Sequence, residues 1–306
     1  MGAMSGPHWR DLERFAPDFW NELDRSPSTR RTYREALKTF FGWCRQNSSH
    51  ASEDLASVST IRTYKDWLQS ERSANTTSTY LVALRRYFAH LMEQGHLKSN
   101  PVESIKGPPK PRGHLRSDLT RAEIRTVFEA IDRGSILGRR DFAMINLMVR
   151  CGLRLIEIQR ANVGDMEVQQ GRRILRIWGK GRATRDEFVV LTEPTERAIE
   201  DYLTTRGALQ PSDPLFAGLR RRAGSLRLSR RTIRRRVTHH LEKAGVKRAR
   251  ISAHSLRHSF VTLAIEGGAS ILQAQTAARH RSIQTTLVYF HEHARLKDPV
   301  EDRIEI

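Results

Sequence analysis

His254-Ser-Leu-Arg257-His258-Ser-Phe260, then Arg279-His280-Arg-Ser-Ile-Gln-Thr-Thr286-Leu-Val-Tyr289, is the part of this 306-residue chain whose reading settles the rest. Upstream, Arg154 stands in Cys151-Gly-Leu-Arg154 and Lys180 in Gly179-Lys-Gly181. Each residue has an ordinary explanation when taken alone. Arg154 precedes Glu157 by three, the spacing of a helical ion pair. Lys180 sits in a glycine-flanked turn, where lysine is usually solvated. His254 and His258 are four apart, as in a zinc pair, but Ser255 follows His254, so the HExxH arrangement is absent and no metal is expected. His280 could cap the preceding helix, and Tyr289 could be core beside Val288 and Phe290. Two arginines, a lysine, two histidines and a late tyrosine in that order are far less easily explained as accident.

The rest of the chain sets the context. Its length suffices for two domains with separate cores. Hydrophobic residues are 38% and charged residues 28%, the balance of a globular protein. No apolar run approaches the roughly 20 residues of a membrane helix, and the N-terminus lacks the apolar core of a signal peptide. A cytoplasmic protein is therefore expected, with Met-Gly-Ala-Met read as an expression remnant before a native Met4. Net charge is +19 and the isoelectric point about 10.8. That is the footprint of a polyanionic partner. The excess is uneven: residues 1–110 carry 16 Lys/Arg against 12 Asp/Glu, and the remainder 37 against 22. Cys44 and Cys151 lie in separate apolar segments without CxxC spacing, so both read as reduced, buried thiols.

Periodicity makes the first third helical. One helix is expected over Trp9–Leu23. Ser28 or Thr29 caps a second through Tyr33, Leu37, Phe40, Phe41 and Cys44. A third starts near Ser59 with Ile61, Tyr64, Trp67 and Leu68. A fourth starts near Thr76 with Tyr80, Leu84, Tyr87, Phe88 and Leu91, and ends at Gly95. These aromatic stripes read as core. Asn100-Pro101 closes the block. Gly107-Pro-Pro-Lys110-Pro-Arg112-Gly113 then reads as an extended basic linker, with Lys110 and Arg112 near phosphates. The division expected is a helical domain over 1–106, a linker over 107–117 and a second domain over 118–306.

The second domain opens on a Thr120/Glu123 capping box, with helices expected over 121–132 and 139–151. Alternation over 173–191, interrupted by Gly-Lys-Gly, predicts one β-hairpin with Lys180 at or near its tip. Helices resume from about 194. Residues 220–236 hold nine arginines and no acid. Unrelieved, these charges repel, so a helix over about 229–243 is expected to lie along a phosphate backbone, with Arg230, Arg231, Arg234 and Arg235 in contact.

The six singled-out residues suit phosphodiester chemistry. A DNA phosphodiester repels nucleophiles and has a poor leaving alkoxide. Arginine forks pair two non-bridging oxygens and stabilise charge in a pentacoordinate transition state. A mobile lysine can protonate the leaving 5′-oxygen, and histidines titrate in the useful range. A tyrosine hydroxyl, pKa about 10, needs activation, but its phosphate ester would conserve bond energy for rejoining. No GxxxxGK[ST] loop is present, and no cofactor is expected.

These segments resemble the tyrosine recombinases, the phage integrases and chromosome-dimer-resolving site-specific recombinases. Cys-Gly-Leu-Arg154-Leu-Ile-Glu157-Ile resembles the family's first arginine motif, and Gly179-Lys180-Gly181 its catalytic hairpin. His254-Ser-Leu-Arg257-His258-Ser-Phe resembles HxLRHxF, and Arg279 through Tyr289 resembles GHxSIxTTxxY. Thr29-Arg-Arg-Thr-Tyr33, Thr76–Leu91 and the Pro-Lys-Pro-Arg linker resemble its core-binding region.

The resemblance implies a mainly α fold with a small β-sheet, a helical core-binding domain plus an α/β catalytic domain forming a C-shaped DNA clamp. It implies catalytic roles for Arg154, Lys180, His254, Arg257, His280 and Tyr289, with Tyr289 as nucleophile and Lys180 as general acid. Arg154 and Arg257 would clamp phosphate, and His254 is a base candidate supported by His280. It implies integration, excision or resolution of double-stranded DNA sites by a homo-tetramer on synapsed DNA, monomeric or dimeric when free. A bacterial or phage-type, nucleoid-associated setting goes with it. Where the family usually has glycine before the last histidine, this chain has Arg279, which either strains the turn or adds a phosphate contact. Two other readings stand beside it: a type IB topoisomerase-like relaxing enzyme, and a catalytically silent sequence-specific DNA-binding protein.

Overall fold

The computed structural model describes residues 9–47, 57–109, 118–178, 186–222, 225–287 and 302. Two compact units divide the chain, Met1–Arg112 and Gly113–Ile306.

The described elements of the first unit are all helices: α1 Trp9–Arg14, α2 Ala16–Glu22, α3 Pro27–Gln46, α4 Val58–Glu71 and α5 Ala74–Glu93. The single helix expected over Trp9–Leu23 is two. Pro17 sits in the first turn of α2, where its missing N–H costs nothing, and the residues before it cannot continue α1 smoothly. The α3 cap is Ser26, two residues earlier than expected. Its Oγ accepts from the Thr29 N–H at 3.3 Å, and Pro27 starts the helix. The aromatic stripes face inward as their spacing requires. Phe40 meets Tyr64 edge-on at 5.0 Å, and Tyr64, Tyr87, Phe40 and Phe88 are fully buried. Gly95 follows α5 at φ +76°, a left-handed position glycine takes without penalty. The chain beyond it stays on this unit: Val102 and Ile105 are buried, and Arg85 donates to the Ile105 carbonyl at 2.8 Å.

The second unit holds α6 Arg121–Glu129, α7 Ile136–Arg150 and α8 Leu155–Arg160, then β1 Met166–Gln169, β2 Arg172–Ile177 and β3 Glu187–Val190. After these come α9 Glu193–Leu203, β4 Ala217–Arg222, β5 Ser225–Arg227, α10 Arg230–Lys243, α11 Ala253–Glu266 and α12 Ile271–Ala278. Both arms of the Thr120/Glu123 capping box are made, at 2.8 and 3.2 Å. Helix α6 stops at Glu129, short of the expected 132. Helix α7 begins three residues earlier than expected, because Ser135 caps it through the Gly138 N–H at 3.1 Å.

The expected hairpin is there as β2 and β3, antiparallel with Leu175 opposite Val189. Its connecting residues, Lys180 among them, lie outside the described residues. Strand β1 adds a third member, Met166 opposite Leu175. A second sheet, the β4–β5 ribbon, corrects the expectation of one sheet and of helix alone after 194. The omissions have local causes: β1 is only four residues, Met166-Glu-Val-Gln169, and exposed beyond Met166, while the arginine-rich β4 carries no apolar alternation.

Helix α7 is the spine, with Ala143 through Val149 all buried. Near its start Asp141, fully buried, accepts from Arg140 at 2.8 and 3.0 Å and from Arg236 at 2.6 Å, and it meets His240 Nε2 at 3.0 Å. These bonds strap α10 to α7. Burial alone would raise the Asp141 carboxyl, but His240, Arg140 and Arg236 outweigh it and hold it below the usual carboxylate range.

Candidate active site

The site begins with a glycine. Gly152 follows α7 at φ +63°, and a Cβ there would lie 2.5 Å from the Phe260 ring. Only glycine permits both the turn and the close approach of α11. Its carbonyl thereby accepts from the Arg257 guanidinium, whose other arm reaches the Ala278 carbonyl. Arg257 itself is only 3% exposed. Burial, then Arg154 and Arg279, lower its pKa to about 9, which leaves it cationic at neutral pH.

Two residues past Gly152, Arg154 is the N-cap of α8, in extended backbone. Glu157, 2% exposed, takes the Arg154 N–H on Oε2 at 2.7 Å and Arg154 Nη1 on Oε1 at 2.6 Å. The ordinary ion pair read from the spacing is thus real, and it also aims the guanidinium. Arg154 Nη2 donates to the Arg279 carbonyl at 3.0 Å. Burial would raise Glu157, but Arg279 and Arg154 overcome it and keep the carboxyl ionised.

His280 follows the end of α12. Its Nδ1 meets Thr286 Oγ1 at 2.9 Å, and its backbone N–H donates to Gln275 at 3.1 Å. Burial first, then Arg257, Arg154, Arg279 and His254, push its pKa down to about 4. His280 is therefore a neutral imidazole at physiological pH. His254 lies in the first turn of α11, where Ser252 Oγ accepts its backbone N–H at 3.3 Å. Arg154, His254, Arg230 and Arg234 line one cleft of ≈ 200 Å³ together with Leu153 and Leu155.

The fold therefore gathers Arg154, His254, Arg257 and His280. Lys180 and Tyr289 lie outside the described residues, as do Lys110 and Arg112. Strands β2 and β3 bracket the segment carrying Lys180, and residues 284–287 form a helical turn just before Tyr289. Arg230, Arg231, Arg234 and Arg235 are exposed on α10, opposite its buried Ile233, Val237 and Leu241. Among the described arginines of this run, Arg236 and Arg227 turn inward instead. Arg236 serves Asp141, and Arg227 donates to the Gln159 and Ala161 carbonyls at 2.8 and 3.1 Å.

Of the two outcomes anticipated for Arg279, the strained turn is met. It does adopt the left-handed conformation, φ 54°, that glycine would take, at a cost of about 1–2 kcal/mol. Its guanidinium, however, points into the protein, 6% exposed, with Nη2 on Glu157 at 2.8 Å and Nε 3.8 Å from Glu187. It is a buried counter-charge, not an open phosphate contact. Arg279 and Thr286 thus take part in the site without having been assigned a role in it from sequence.

Comparison with known proteins agrees with this architecture. Residues 117–295 match the phage integrase family, and residues 12–95 match the phage integrase N-terminal SAM-like domain. The chain belongs to the phage integrase family. It is a tyrosine recombinase, an enzyme that cleaves and rejoins DNA, and the topoisomerase-like and silent alternatives give way to that reading.

Among individual proteins, it is 30% identical over 291 residues to tyrosine recombinase XerD of Pseudomonas putida, covering 92% of each chain. It is 30% identical over 290 residues to tyrosine recombinase XerC of Pelobacter propionicus, covering 93% of this chain and 91% of that one. In fold it is similar to XerH site-specific recombinase in a post-cleavage complex with palindromic difH substrate (TM-score 0.74, 23% identity, 96% of this chain and 84% of that chain). It is also similar to lambda integrase residues 75–356 bound to DNA (TM-score 0.69, 15% identity, 98% and 100%).

Proposed function

We propose that this enzyme exchanges strands between two specific duplex sites through a 3′-phosphotyrosyl intermediate on Tyr289. The convergence of Arg154, Arg257, His254 and His280 on one face of the second unit carries the reading. The Tyr289 oxygen attacks phosphorus, and the bond to the 5′-oxygen breaks. Lys180 protonates that leaving oxygen, and His254 receives the phenolic proton. Arg154 and Arg257 pair the non-bridging oxygens as charge builds on them. His280 is a neutral hydrogen-bonding partner, its Nδ1 engaged by Thr286 so that Nε2 faces substrate. Rejoining reverses these steps, with a 5′-hydroxyl displacing Tyr289. No metal has a part in these assignments.

The cleft shared by Arg154, His254, Arg230 and Arg234 supports a path for the DNA backbone along α10, with Arg231 and Arg235 beside it. Lys110 and Arg112, in the linker sequence, are assigned to DNA phosphates. The active assembly is a homo-tetramer on two synapsed sites, as a lambda integrase tetramer is on a Holliday junction. No helix among the described residues is long and apolar enough to cross a membrane, and a cytoplasmic, nucleoid-associated setting goes with the proposed substrate.

A duplex nicked next to the cleavage position tests the chemistry. The parent enzyme should yield a denaturant-stable protein–DNA adduct, and Tyr289→Phe should yield none. An adduct that survives Tyr289→Phe, or a parent that forms none on its own site, defeats the assignment.

A further inference from the structure

Arg279 stands out because two features of it work against each other. Its backbone is in a conformation that favours glycine, φ 54°. Its side chain nevertheless makes contacts that no glycine could make. Nη2 donates to Glu157 at 2.8 Å and to the Gly152 carbonyl at 3.1 Å, while Nη1 donates to the Ala277 carbonyl at 2.8 Å. Nε faces Glu187 Oε2 across 3.8 Å, and both atoms are buried.

The same residue is held at its other end. Arg154 Nη2 donates to its carbonyl at 3.0 Å, and Arg154 Nη1 returns to Glu157 at 2.6 Å. A closed ring results, running from Arg154 to Glu157 to Arg279 and back. The residues on either side of Arg279 belong to the site as well: Ala278 accepts from Arg257, and His280 bonds Thr286.

We propose that Arg279 is a positioning residue for strand cleavage, fixing through Glu157 the relative places of Arg154 and His280. The inference rests on the reading of this cluster as the cleavage site. The physical reason is that Glu157 is a buried carboxylate with two guanidinium partners. Arg154 alone meets both of its oxygens, with its backbone N–H and Nη1, but ties the carboxylate only to its own end of α8. A second guanidinium on the same carboxylate, Arg279 Nη2 on Oε2, ties it also to the end of α12. It does so from the turn that leads directly into His280, so the phosphate clamp and the imidazole are set by one element.

The informative substitution is Arg279→Gly, because glycine relieves the backbone while deleting the guanidinium. A residue that merely formed the turn would be replaced without loss. Single-turnover adduct formation on the nicked duplex is measured at saturating enzyme, beside half-site affinity and thermal unfolding. The expected result is a rate at least tenfold lower with affinity within twofold of the parent, and partial recovery in Arg279→Lys. A rate in Arg279→Gly equal to or above the parent's overturns the inference. So does a rate loss matched by an equal loss of affinity. Should Arg279→Gly fail to fold, Arg279→Lys is read by the same measure: at least threefold slower at unchanged affinity supports the role, and anything else removes it. The parent and Tyr289→Phe run alongside, so failure of the cleavage reading itself shows as a parent without adduct.

Discussion

Gly152 shows how much one residue decides here. It ends α7, turns the chain through a left-handed conformation, admits the Phe260 ring and lends its carbonyl to Arg257. Gly152→Ala should destabilise the enzyme by about 2–5 kcal/mol, combining roughly 1–2 for the left-handed residue with 1–3 for overpacking. Urea unfolding measures this, and adduct formation should fall with it because Arg257 loses its seat. A change below about 1 kcal/mol would mean that α11 yields without strain. The glycine was visible in Cys-Gly-Leu-Arg, but the ring that makes it necessary is more than a hundred positions away. Glu157 was legible as the i+3 partner of Arg154. Its second partner, Arg279, was not, because nothing local to 279 reveals which way a guanidinium turns.

Among the elements, α10 separates what periodicity reveals from what it hides. Ile233, Val237 and Leu241 recur at four-residue spacing and are buried, so the helix and its outward arginines follow from pattern alone. Replacing Arg234 and Arg235 together by Ala should flatten the dependence of log affinity on log salt by about two units. Binding titrations across a salt series read that slope, and an unchanged slope returns these side chains to solvent. Arg236 follows different physics. It pairs with buried Asp141, so its loss acts on stability and not on counterion release. Sequence spacing could not separate 236 from 235. The short strands escaped notice for a related reason: β1 is too short for its alternation to stand out, β4 is arginine-rich, and both are held by backbone pairing.

At the scale of the whole molecule, the proposed tetramer directs a test at the last residues of the sequence. Ile304 and Ile306 are apolar, while Glu301, Asp302 and Glu305 oppose a strongly basic body. In the second unit a ≈ 480 Å³ cavity is lined by Ile124, Phe128 and Phe260 with Arg121, Arg125 and Arg150. Deleting residues 295–306 should impair recombination of a two-site plasmid far more than binding of one half-site. Equal loss of both would place the segment in the fold of its own subunit.

The class of chemistry, the helical character of both units and the order of the catalytic kit were determined by sequence alone. Residue type sets what a side chain can do to a phosphate, and period sets which face of a helix is buried. Only the tertiary structure decided which arginines stay exposed on α10 and which turn to Glu157 or Asp141. Those choices depend on buried carboxylates brought close by folding, and the demand of a buried charge for a partner acts across space without regard to separation along the chain.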